Sequence, residues 1–433
     1  MQFWQADIET LAPQELAALQ LEKLRNSIEQ AGRSQFYGRR FASLGLSANS
    51  LRSLDDLRRF PFTCKDELRQ EYPWGLLSVA QDQVIRMHCT SGTTGNPVAV
   101  LHSRRDLHNW ANLVARSLFA AGTRPGEVFQ NSSGYGLFTG GLGFQNGAEL
   151  LGCLSIPAGS GNSLRQIKLM RDFGTTCLHA VPSYLGRLHS VFIENGLQPA
   201  KDTRLKRLFI GAEPHSEETR QRIQKLYGCK AYNSFGMTEM NGPGVAFECE
   251  CQNGMHLWED AYIMEIIDPE TLQALPEGEL GELVLTTLDR EAMPIIRYRT
   301  RDLTRIISEK CPCGRSSRRI DRITGRSDDM FIIKGCNVFP IQIERILMRI
   351  NEIGSDYLIT LDSNEEGDFM LVQAELKHEA FSDQFPKLEL LRKRIAAAMR
   401  DEVQVTPKVQ LVNPGTLPKN EGKAVRVKDL RKN

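Results

Sequence analysis

The most informative part of the chain is the stretch Cys89–Pro97, whose sequence is CTSGTTGNP. Strand-forming residues flank it at 84–88 and at 98–100. Two glycines and four hydroxyl residues between two strands make a tight turn, whose backbone N–H groups and hydroxyls can surround a phosphate. The stretch therefore predicts a phosphate-binding loop, and a plain surface hairpin is the alternative. The residues of the predicted loop are Ser91, Gly92, Thr93, Thr94 and Gly95.

Short β-type runs alternate with helical stretches as far as about residue 290. Residues 208–210 are typical of a strand, and a helix is predicted to begin at Ser216, with two acids in its first turn, and to end near Gly228. This repetition predicts an α/β fold with a largely parallel sheet covered by helices. Two further strands, 262–267 and 282–287, are joined by turn residues and predict an antiparallel β segment after that core.

The composition changes towards the carboxyl end of the chain. Arginine and aspartate crowd residues 297–326, and a separate pattern of helices and strands follows. About 105 residues with apolar faces of their own suffice for a small α+β domain. We therefore expect a large N-terminal domain at 1–327 and a small C-terminal domain at 328–433.

Composition and charge exclude several classes of protein. The 54 Lys plus Arg and 53 Asp plus Glu leave a net charge of +1, so no global field attracts a polyanion. The chain has no run of about 18 uncharged apolar residues and does not begin like a secretory signal. The ten cysteines are mostly dispersed, which favours a reducing compartment. We expect a cytoplasmic protein with no nucleic-acid or membrane partner.

Four more motifs follow the loop in a fixed order. They are YNSFGMTE at 232–239, IRYRTRD at 296–302, the segment 325–344 that begins GRSDDM, and LPKNEGK at 417–423. In this order and at these separations the five motifs resemble the adenylate-forming superfamily of acyl-CoA synthetases. The stretches YGLFTGGLG at 135–143, GAEP at 211–214 and GPGV at 242–245 resemble the phenylacetate-CoA ligases in particular.

The resemblance implies an activity and its small-molecule partners. Such enzymes join a carboxylic acid to the α-phosphate of ATP, release pyrophosphate, and pass the acyl group to coenzyme A, so that AMP leaves. The expected substrates are an aromatic acid, ATP and coenzyme A, with Mg²⁺ as cofactor. Phenylacetate, hydroxylated phenylacetates, indoleacetate and benzoate-like acids all remain open, because one methylene or hydroxyl changes pocket preference by only about 1 to 3 kcal/mol. The oligomeric state is undetermined, and a homodimer is one of the options.

The resemblance also implies roles around the nucleotide. The loop Ser91–Gly95 would hold the β and γ phosphates, and Thr238 with Glu239 would offer oxygen ligands to Mg²⁺. Asp302 would accept hydrogen bonds from the ribose hydroxyls, with Arg326 near the ribose or phosphates. The remaining nucleotide-binding residues are expected around the adenine: Gly211, Ala212, Glu213, Pro214, Ser234, Phe235, Gly236 and Met237.

By the same resemblance, the C-terminal domain supplies a mobile cation. Lys423 would reach the carboxylate and the α-phosphate during adenylation only. Asp328 matches the hinge, and a rotation there would exchange Lys423 for the turn at Lys334 and Gly335, where the glycine leaves room for the pantetheine arm of coenzyme A. Close relatives usually carry lysine where this chain has Asn96, so its phosphate loop contains no positive charge.

Four residues match positions that surround the acyl group in relatives: Tyr135, Phe138, Gly141 and Tyr184. Glycines beside aromatic rings can form a flat slot that accepts another ring. We therefore expect an acyl pocket for an aromatic acid at these positions.

Two tight cysteine pairs predict a structural zinc site. Cys311 and Cys313, together with Cys249 and His256, would complete a closed tetrahedral set of three thiolates and one imidazole. Cys251 competes with Cys249, and we favour Cys249 because relatives with this feature keep Cys and His at that separation. Unligated reduced thiols are the alternative.

Two other functions stay open at this point. An adenylating enzyme could deliver its acyl group to a carrier protein or an amine instead of coenzyme A. A zinc-containing nucleic-acid-binding module is a different class, and the neutral charge balance and the absence of a basic helix beside Cys311 argue against it.

Overall fold

The computed structural model describes residues 2–90, 96–364, 367–380, 385–418 and 424–431. The predicted phosphate loop Ser91–Gly95 and the predicted catalytic residue Lys423 lie outside these ranges. No helix among the described residues is long and apolar enough to cross a membrane.

Twelve α-helices lie in the described ranges. In chain order they are α1 Ala6–Glu9, α2 Pro13–Ala31, α3 Gln35–Ser43, α4 Lys65–Gln70, α5 Arg104–Ala120, α6 Thr139–Leu151, α7 Ser163–Asp172, α8 Pro182–Glu194, α9 Pro199–Asp202, α10 Glu217–Tyr227, α11 Pro340–Met348 and α12 Phe385–Val403.

The same ranges contain 21 strands. The first eleven are β1 Arg86–Cys89, β2 Ala99–His102, β3 Val128–Asn131, β4 Leu154–Ile156, β5 Cys177–His179, β6 Arg207–Gly211, β7 Lys230–Met237, β8 Gly242–Glu248, β9 Met255–Leu257, β10 Tyr262–Ile267 and β11 Gly281–Thr287. The others are β12 Tyr298–Thr304, β13 Ile306–Ile307, β14 Arg319–Ile320, β15 Gly325–Arg326, β16 Phe331–Ile333, β17 Cys336–Val338, β18 Ile353–Asn364, β19 Gly367–Leu376, β20 Lys408–Val412 and β21 Val427–Asp429.

A nine-stranded sheet forms the centre of the large domain, in the order β13-β14-β9-β8-β7-β6-β5-β3-β4. Strands β4, β3, β5, β6 and β7 are parallel to one another. The order turns antiparallel at β8 and stays so through β9, β14 and β13. The α/β fold with a mostly parallel sheet is therefore confirmed, because the βα repeats continue through β7.

Helix α10 shows why these βα repeats form. The Ser216 Oγ accepts a hydrogen bond from Thr219 N at 3.2 Å and so satisfies one of the free N–H groups at the helix start. Two glutamates follow in the first turn, and Gly228 ends the helix with φ of 66°. Start and end both agree with the sequence prediction.

A second sheet carries the predicted antiparallel segment, in the order β10-β11-β12-β15. Strands β10 and β11 pair antiparallel from Tyr262 opposite Thr287 to Ile267 opposite Glu282. This sheet brings the motif of residues 296–302, within and before β12, next to Gly325 and Arg326.

The C-terminal domain has a hydrophobic core of its own. Its four-stranded sheet, β20-β19-β18-β21, packs its buried residues with those of α11 and α12. The buried residues of that cluster run from Phe331 to Val409, whereas those of the two clusters of the large domain end at Ile320 and at Ala231. The small α+β domain expected at the carboxyl end of the chain is therefore a separately packed unit.

Candidate functional site

The candidate nucleotide site lies at the carboxyl ends of the parallel strands. Strand β6 ends at Gly211 and continues into residues 212–214, and β7 ends at Met237 and continues into the 3-10 turn Thr238–Met240. Because neighbouring parallel strands end at the same edge, these two predicted segments lie side by side, with Gly211 opposite Ser234. A Cβ atom added to Gly211 would come within 2.3 Å of Ser234 O, so only glycine fits there.

The antiparallel pair β1 and β2 leads into and out of the predicted phosphate loop. Cys89 is paired with Ala99, and Thr90 closes the base of the loop. The Thr90 amide donates to Val98 O at 3.1 Å, and the Val98 amide donates to Thr90 Oγ1 at 3.0 Å. The Cys89 amide donates to Leu137 O at 3.0 Å and so attaches this hairpin to the glycine-rich stretch 135–143.

Glu239 is a buried carboxylate with two partners that sequence reasoning did not identify. Its side chain is 4% exposed, Tyr298 donates a hydrogen bond to its Oε1 at 3.1 Å, and Lys65 Nζ lies 3.6 Å from the same oxygen. Arg290 donates to the Glu239 carbonyl at 2.7 Å and fixes the backbone. Lys65 is 42% exposed and therefore presents its charge at an open part of the site. Tyr298 lies inside one of the predicted motifs, but Lys65 lies in none of them.

Asp302 and Arg326 face each other across β12 and β15. The Arg326 guanidinium lies 3.3 Å from Asp302 Oδ1 and also binds Asp328 at 2.9 Å. Burial raises the pKa of Asp302 to about 7, although Arg326 acts in the opposite direction. The structure therefore brings the predicted ribose residue, the predicted arginine and the predicted hinge residue into one network.

Glu213, in the turn after β6, contacts both α8 and the segment before β21. Its carboxylate accepts hydrogen bonds from Ser183 N at 2.5 Å, from Ser183 Oγ at 3.0 Å and from the Ala424 amide at 3.3 Å. Burial raises its pKa. Ala424 follows Lys423 in the sequence, so Glu213 ties the adenine-side turn to the segment that carries the predicted catalytic lysine.

The predicted acyl-pocket residues differ in their surroundings. A Cβ atom on Gly141 would come within 3.1 Å of the Tyr135 ring, so the glycine allows the ring to lie against α6. Asn131 donates to the Tyr135 hydroxyl at 3.4 Å, and the Tyr184 hydroxyl lies 3.2 Å from Ser163 Oγ. Phe138 is 54% exposed at the start of α6.

The predicted coenzyme A turn is a two-residue hairpin between β16 and β17. Lys334 and Gly335 have φ values of 49° and 79°, and positive φ at both central residues is typical of a type I′ turn. Both residues are exposed, so the turn is open to a ligand outside the C-terminal domain.

The four predicted zinc ligands come together. The ligand atoms of Cys249, His256, Cys311 and Cys313 all lie within 4.8 Å of one another, and all four residues are buried. Cys249 belongs to this cluster, whereas Cys251 is half-buried and lies outside it.

The cluster has the dimensions of a tetrahedral site. With zinc about 2.3 Å from each sulfur, two sulfurs would be about 3.8 Å apart, and Cys249 Sγ and Cys311 Sγ are 3.7 Å apart. Cys313 Sγ lies 3.3 Å from His256 Nε2. The other ring nitrogen of His256 donates to Ser317 O at 3.2 Å, which leaves Nε2 as the free ligand atom. The donor set therefore fits zinc.

Two family models match the chain. The model described as AMP-binding enzyme covers residues 54–287, and the model described as AMP-binding enzyme C-terminal domain covers residues 335–431.

Curated relatives match over nearly the full length. Phenylacetate-coenzyme A ligases from Thermus thermophilus and Pseudomonas putida are each 43% identical, over 99% and 98% of this chain and 100% and 98% of their own length. The Escherichia coli enzyme of the same name is 40% identical over 98% of this chain and 97% of its own length.

Solved structures of 2-hydroxyisobutyryl-CoA ligase are 30% identical, over 99% of this chain and 93% of theirs. The TM-score is 0.93 for the postadenylation state with a bound acyl-adenylate and 0.73 for the thioesterification state with coenzyme A. The chain therefore superposes better on the postadenylation structure than on the thioesterification structure. With these matches and the site described above, the chain belongs to the phenylacetate-CoA ligase family of AMP-binding enzymes.

Proposed function

We propose that this protein ligates an aryl acid, phenylacetate or a similar aromatic acid, to coenzyme A through an acyl-adenylate, with release of pyrophosphate and AMP. One observation supports this most strongly. The adenine-side turn and Glu239 lie at one edge of the parallel sheet, and Tyr298, on the strand that also carries Asp302, donates to Glu239 there. Arg290 donates both to the Glu239 carbonyl and to Leu101 O, in the hairpin that carries the predicted phosphate loop, so these groups converge. That convergence occurs in a chain about 40% identical to phenylacetate-CoA ligases.

The chemical task explains why such a cleft is needed. A carboxylate does not react with a thiol because its leaving group is poor, and the adenylate replaces it with a phosphate ester. The protein must stabilise the negative charge that builds up at phosphorus and keep water away. Thr238 and Glu239 would hold Mg²⁺, which supplies charge neutralisation at the phosphates when it is bound. Tyr298 orients the Glu239 carboxylate through its hydroxyl hydrogen.

Lys65 is our candidate for the positive charge that the phosphate loop lacks. The loop has Asn96 in place of the lysine of close relatives, and Lys65 lies beside Glu239 with part of its side chain in solvent. An ammonium at this position can accompany the phosphates as a point charge. Lys65 and Lys423 would then both neutralise the negative charge of the ATP phosphates during adenylation.

The network of Asp302, Arg326 and Asp328 on the second sheet would orient the nucleotide. Asp302 would accept hydrogen bonds from the ribose hydroxyls, and Arg326, held by Asp328, would stay beside the ribose or phosphates. The adenine would lie along residues 211–214 and 234–237. Tyr135, Phe138, Gly141 and Tyr184 would surround the aromatic ring of the acid.

We further propose that the chain divides at residue 328 into the large domain and a lid, with Asp328 as the hinge. In the adenylation arrangement Lys423 faces the carboxylate and the α-phosphate. After rotation, the turn at Lys334 and Gly335 takes its place and admits the pantetheine arm of coenzyme A.

A pyrophosphate-release assay over a panel of aromatic and short aliphatic acids tests the activity. We expect release with ATP, Mg²⁺ and an aryl acid, and thioester only when coenzyme A is added. Release without thioester formation would favour a carrier-protein or amine acceptor. If no acid supports acyl-AMP formation, the proposed function is wrong.

We also propose that Cys249, His256, Cys311 and Cys313 hold a structural zinc ion, because a set of four protein ligands leaves no position open for water. Zinc there would join β9 and the end of β8 to the segment before β14. Metal analysis of protein purified without chelators should give about one zinc per chain, and a result of none would remove this proposal.

The remaining expectations concern the cell and the assembly. A reducing cytoplasm suits ten cysteines, all of which are free of disulfides. A homodimer stays a prediction, which light scattering of the purified protein can test.

A further inference from the structure

Helix α10 meets the C-terminal domain along one stripe of residues. Ser216, Thr219 and Arg222 are three residues apart, so they lie on the same face of the helix and its N-cap. From the C-terminal domain, Glu344 accepts hydrogen bonds from Ser216 N at 2.8 Å and from Thr219 Oγ1 at 2.6 Å. The second carboxylate oxygen of Glu344 accepts from Tyr357 at 3.0 Å, which holds the carboxylate in this position.

Arg222 makes the second part of this contact. Its guanidinium donates to the carbonyl of Ile353 and, at 3.3 Å, to that of Gly354, both at the start of β18. It also lies 3.4 Å from Met348 Sδ, at the end of α11, where a helix dipole favours a cation. Among the described residues no ion pair between Arg222 and a carboxylate is found, and burial lowers the pKa of Arg222. The partners of Arg222 are therefore two backbone oxygens and the sulfur of Met348, all in the other domain.

We propose that this stripe of α10 is a latch that selects the adenylation arrangement of the C-terminal domain, with Arg222 as a positioning residue for acyl-AMP formation. The inference rests on the proposed function, because it concerns the balance between the two half-reactions.

Packing alone does not explain why the two domains hold together here. A cavity of about 400 Å³ lies between them, lined by side chains of α8, α10, α11 and β18. Since no side chain of the described residues fills this volume, directed contacts at its edges carry more of the interaction than they would in a filled interface. The hydrogen bonds of Glu344 and Arg222 are such contacts.

The contacts occur in an arrangement of this chain that superposes better on one of two solved states of a structural relative. The overall fold matches the postadenylation state with a TM-score of 0.93 and the thioesterification state with 0.73. When the C-terminal domain moves to the second arrangement, the hydrogen bonds of Arg222 and Glu344 with the other domain break, and exchange with water recovers only part of their free energy. The latch therefore stabilises the first state relative to the second, which is what a shift of population requires.

The test compares the two half-reactions in Arg222→Met, which keeps much of the side-chain volume and removes the donors. Acyl-AMP formation is measured as pyrophosphate release without coenzyme A. Thiol transfer is measured from supplied acyl-AMP and coenzyme A. We expect acyl-AMP formation to fall by roughly 5- to 30-fold, as for the loss of a charge-assisted hydrogen bond, and thiol transfer to stay equal or to increase. Arg222→Lys should recover part of the first rate.

Arg171→Met, at an exposed position of α7, is the matched control and should leave both rates unchanged. Thr219→Val, which removes one donor to Glu344, should act in the same direction as Arg222→Met but more weakly. Equal losses in both half-reactions, or an unchanged rate of acyl-AMP formation, would overturn the latch. If the unmodified enzyme forms no acyl-AMP with any acid, the proposed function fails first, and the two failures are thereby distinguished.

Discussion

Two regions bury ionisable side chains: the cysteine–histidine cluster, and the acidic cleft formed by Glu239 and Asp302 with their partners. They differ in whether the ligand or hydrogen-bonding capacity of these side chains is used up within the protein. In the cluster, four ligand atoms lie within 4.8 Å of one another, and the imidazole is oriented by Ser317. In the cleft, Asp302 is buried beside one guanidinium, and the pKa of its carboxyl is raised. A closed set of donors suits a structural ion, whereas carboxylates with remaining acceptor capacity suit a substrate. Substitutions in the cleft should therefore alter turnover, and substitutions in the cluster should alter stability.

The largest effect is expected at Lys423, the predicted catalytic residue. Lys423→Ala should lower acyl-AMP formation by about 1,000-fold or more, because the reaction loses a charge positioned at the α-phosphate. Thiol transfer from supplied acyl-AMP should be retained. Lys428→Ala, at an exposed nearby lysine, is the control and should change neither rate. Equal loss of both half-reactions would refute the role of Lys423.

The second effect concerns the stability of the cluster. Cys311→Ser should lower the free energy of unfolding by about 3 kcal/mol or more and release the proposed zinc, because a closed metal site contributes to folding. The specific activity of the protein that stays folded should change little. Cys251→Ser is the matched control, since Cys251 lies outside the cluster. Chemical unfolding and metal analysis measure both changes, and similar results for the two variants would argue against zinc.

The third prediction separates stability from function at Asp302. Asp302→Asn should raise the KM for ATP by roughly 10- to 100-fold, because a charge-assisted acceptor for the ribose is lost. Burial raises the pKa of Asp302 to about 7 in the native state, so its carboxyl favours folding at low pH and loses that contribution as pH rises from about 4 to 7.

The nucleotide-free Asp302→Asn variant should therefore gain thermal stability over the unmodified protein at pH 8 and much less at pH 4.5. Asp82→Asn, at an exposed position, is the control. A stability difference that does not depend on pH would contradict the assignment of a raised pKa.

The smallest effect is expected at Tyr298. Tyr298→Phe removes the hydrogen bond to Glu239 and should lower kcat/KM by roughly 5-fold, equivalent to about 1 kcal/mol. Tyr227→Phe loses a comparable buried hydrogen bond, to Leu185 O at 2.8 Å, which involves neither Glu239 nor a residue of the nucleotide motifs. That control should reduce stability without changing kcat/KM, and an equal change in kcat/KM for both variants would remove the special role of Tyr298.

Much of the fold could be predicted because local patterns agree with it. Helix α10 has its cap, its acids and its terminal glycine in sequence, and β10 and β11 have strand-forming residues joined by turns. Strand β8 was not predicted, because Gly242, Pro243 and Gly244 disfavour a strand and only the neighbouring strands impose one. Tertiary pairing overrides local preference there.

Some residues of the candidate site could likewise be predicted from the sequence, and others could not. Glu239 and Asp302 could be identified from motifs, and the cysteine–histidine set from its residue types. The approach of Lys65 to Glu239 could not, since the two residues are far apart in sequence and Lys65 belongs to no motif. The contacts of Arg222 with Ile353 and Gly354 could not be predicted either, because they involve backbone oxygens, which every residue type has.

The path of the chain from β7 through Thr238–Met240 into β8 links the two regions compared above. Glu239 lies at one end of β8, and Cys249 directly follows its other end. Peroxide that converts the thiols to sulfenic or sulfinic acids would remove the donors from the cluster and loosen this strand. Oxidative damage should therefore lower the fraction of folded protein, and with it the total activity, while the protein that stays folded keeps its specific activity. Preparations stored under a reductant should keep their activity longer.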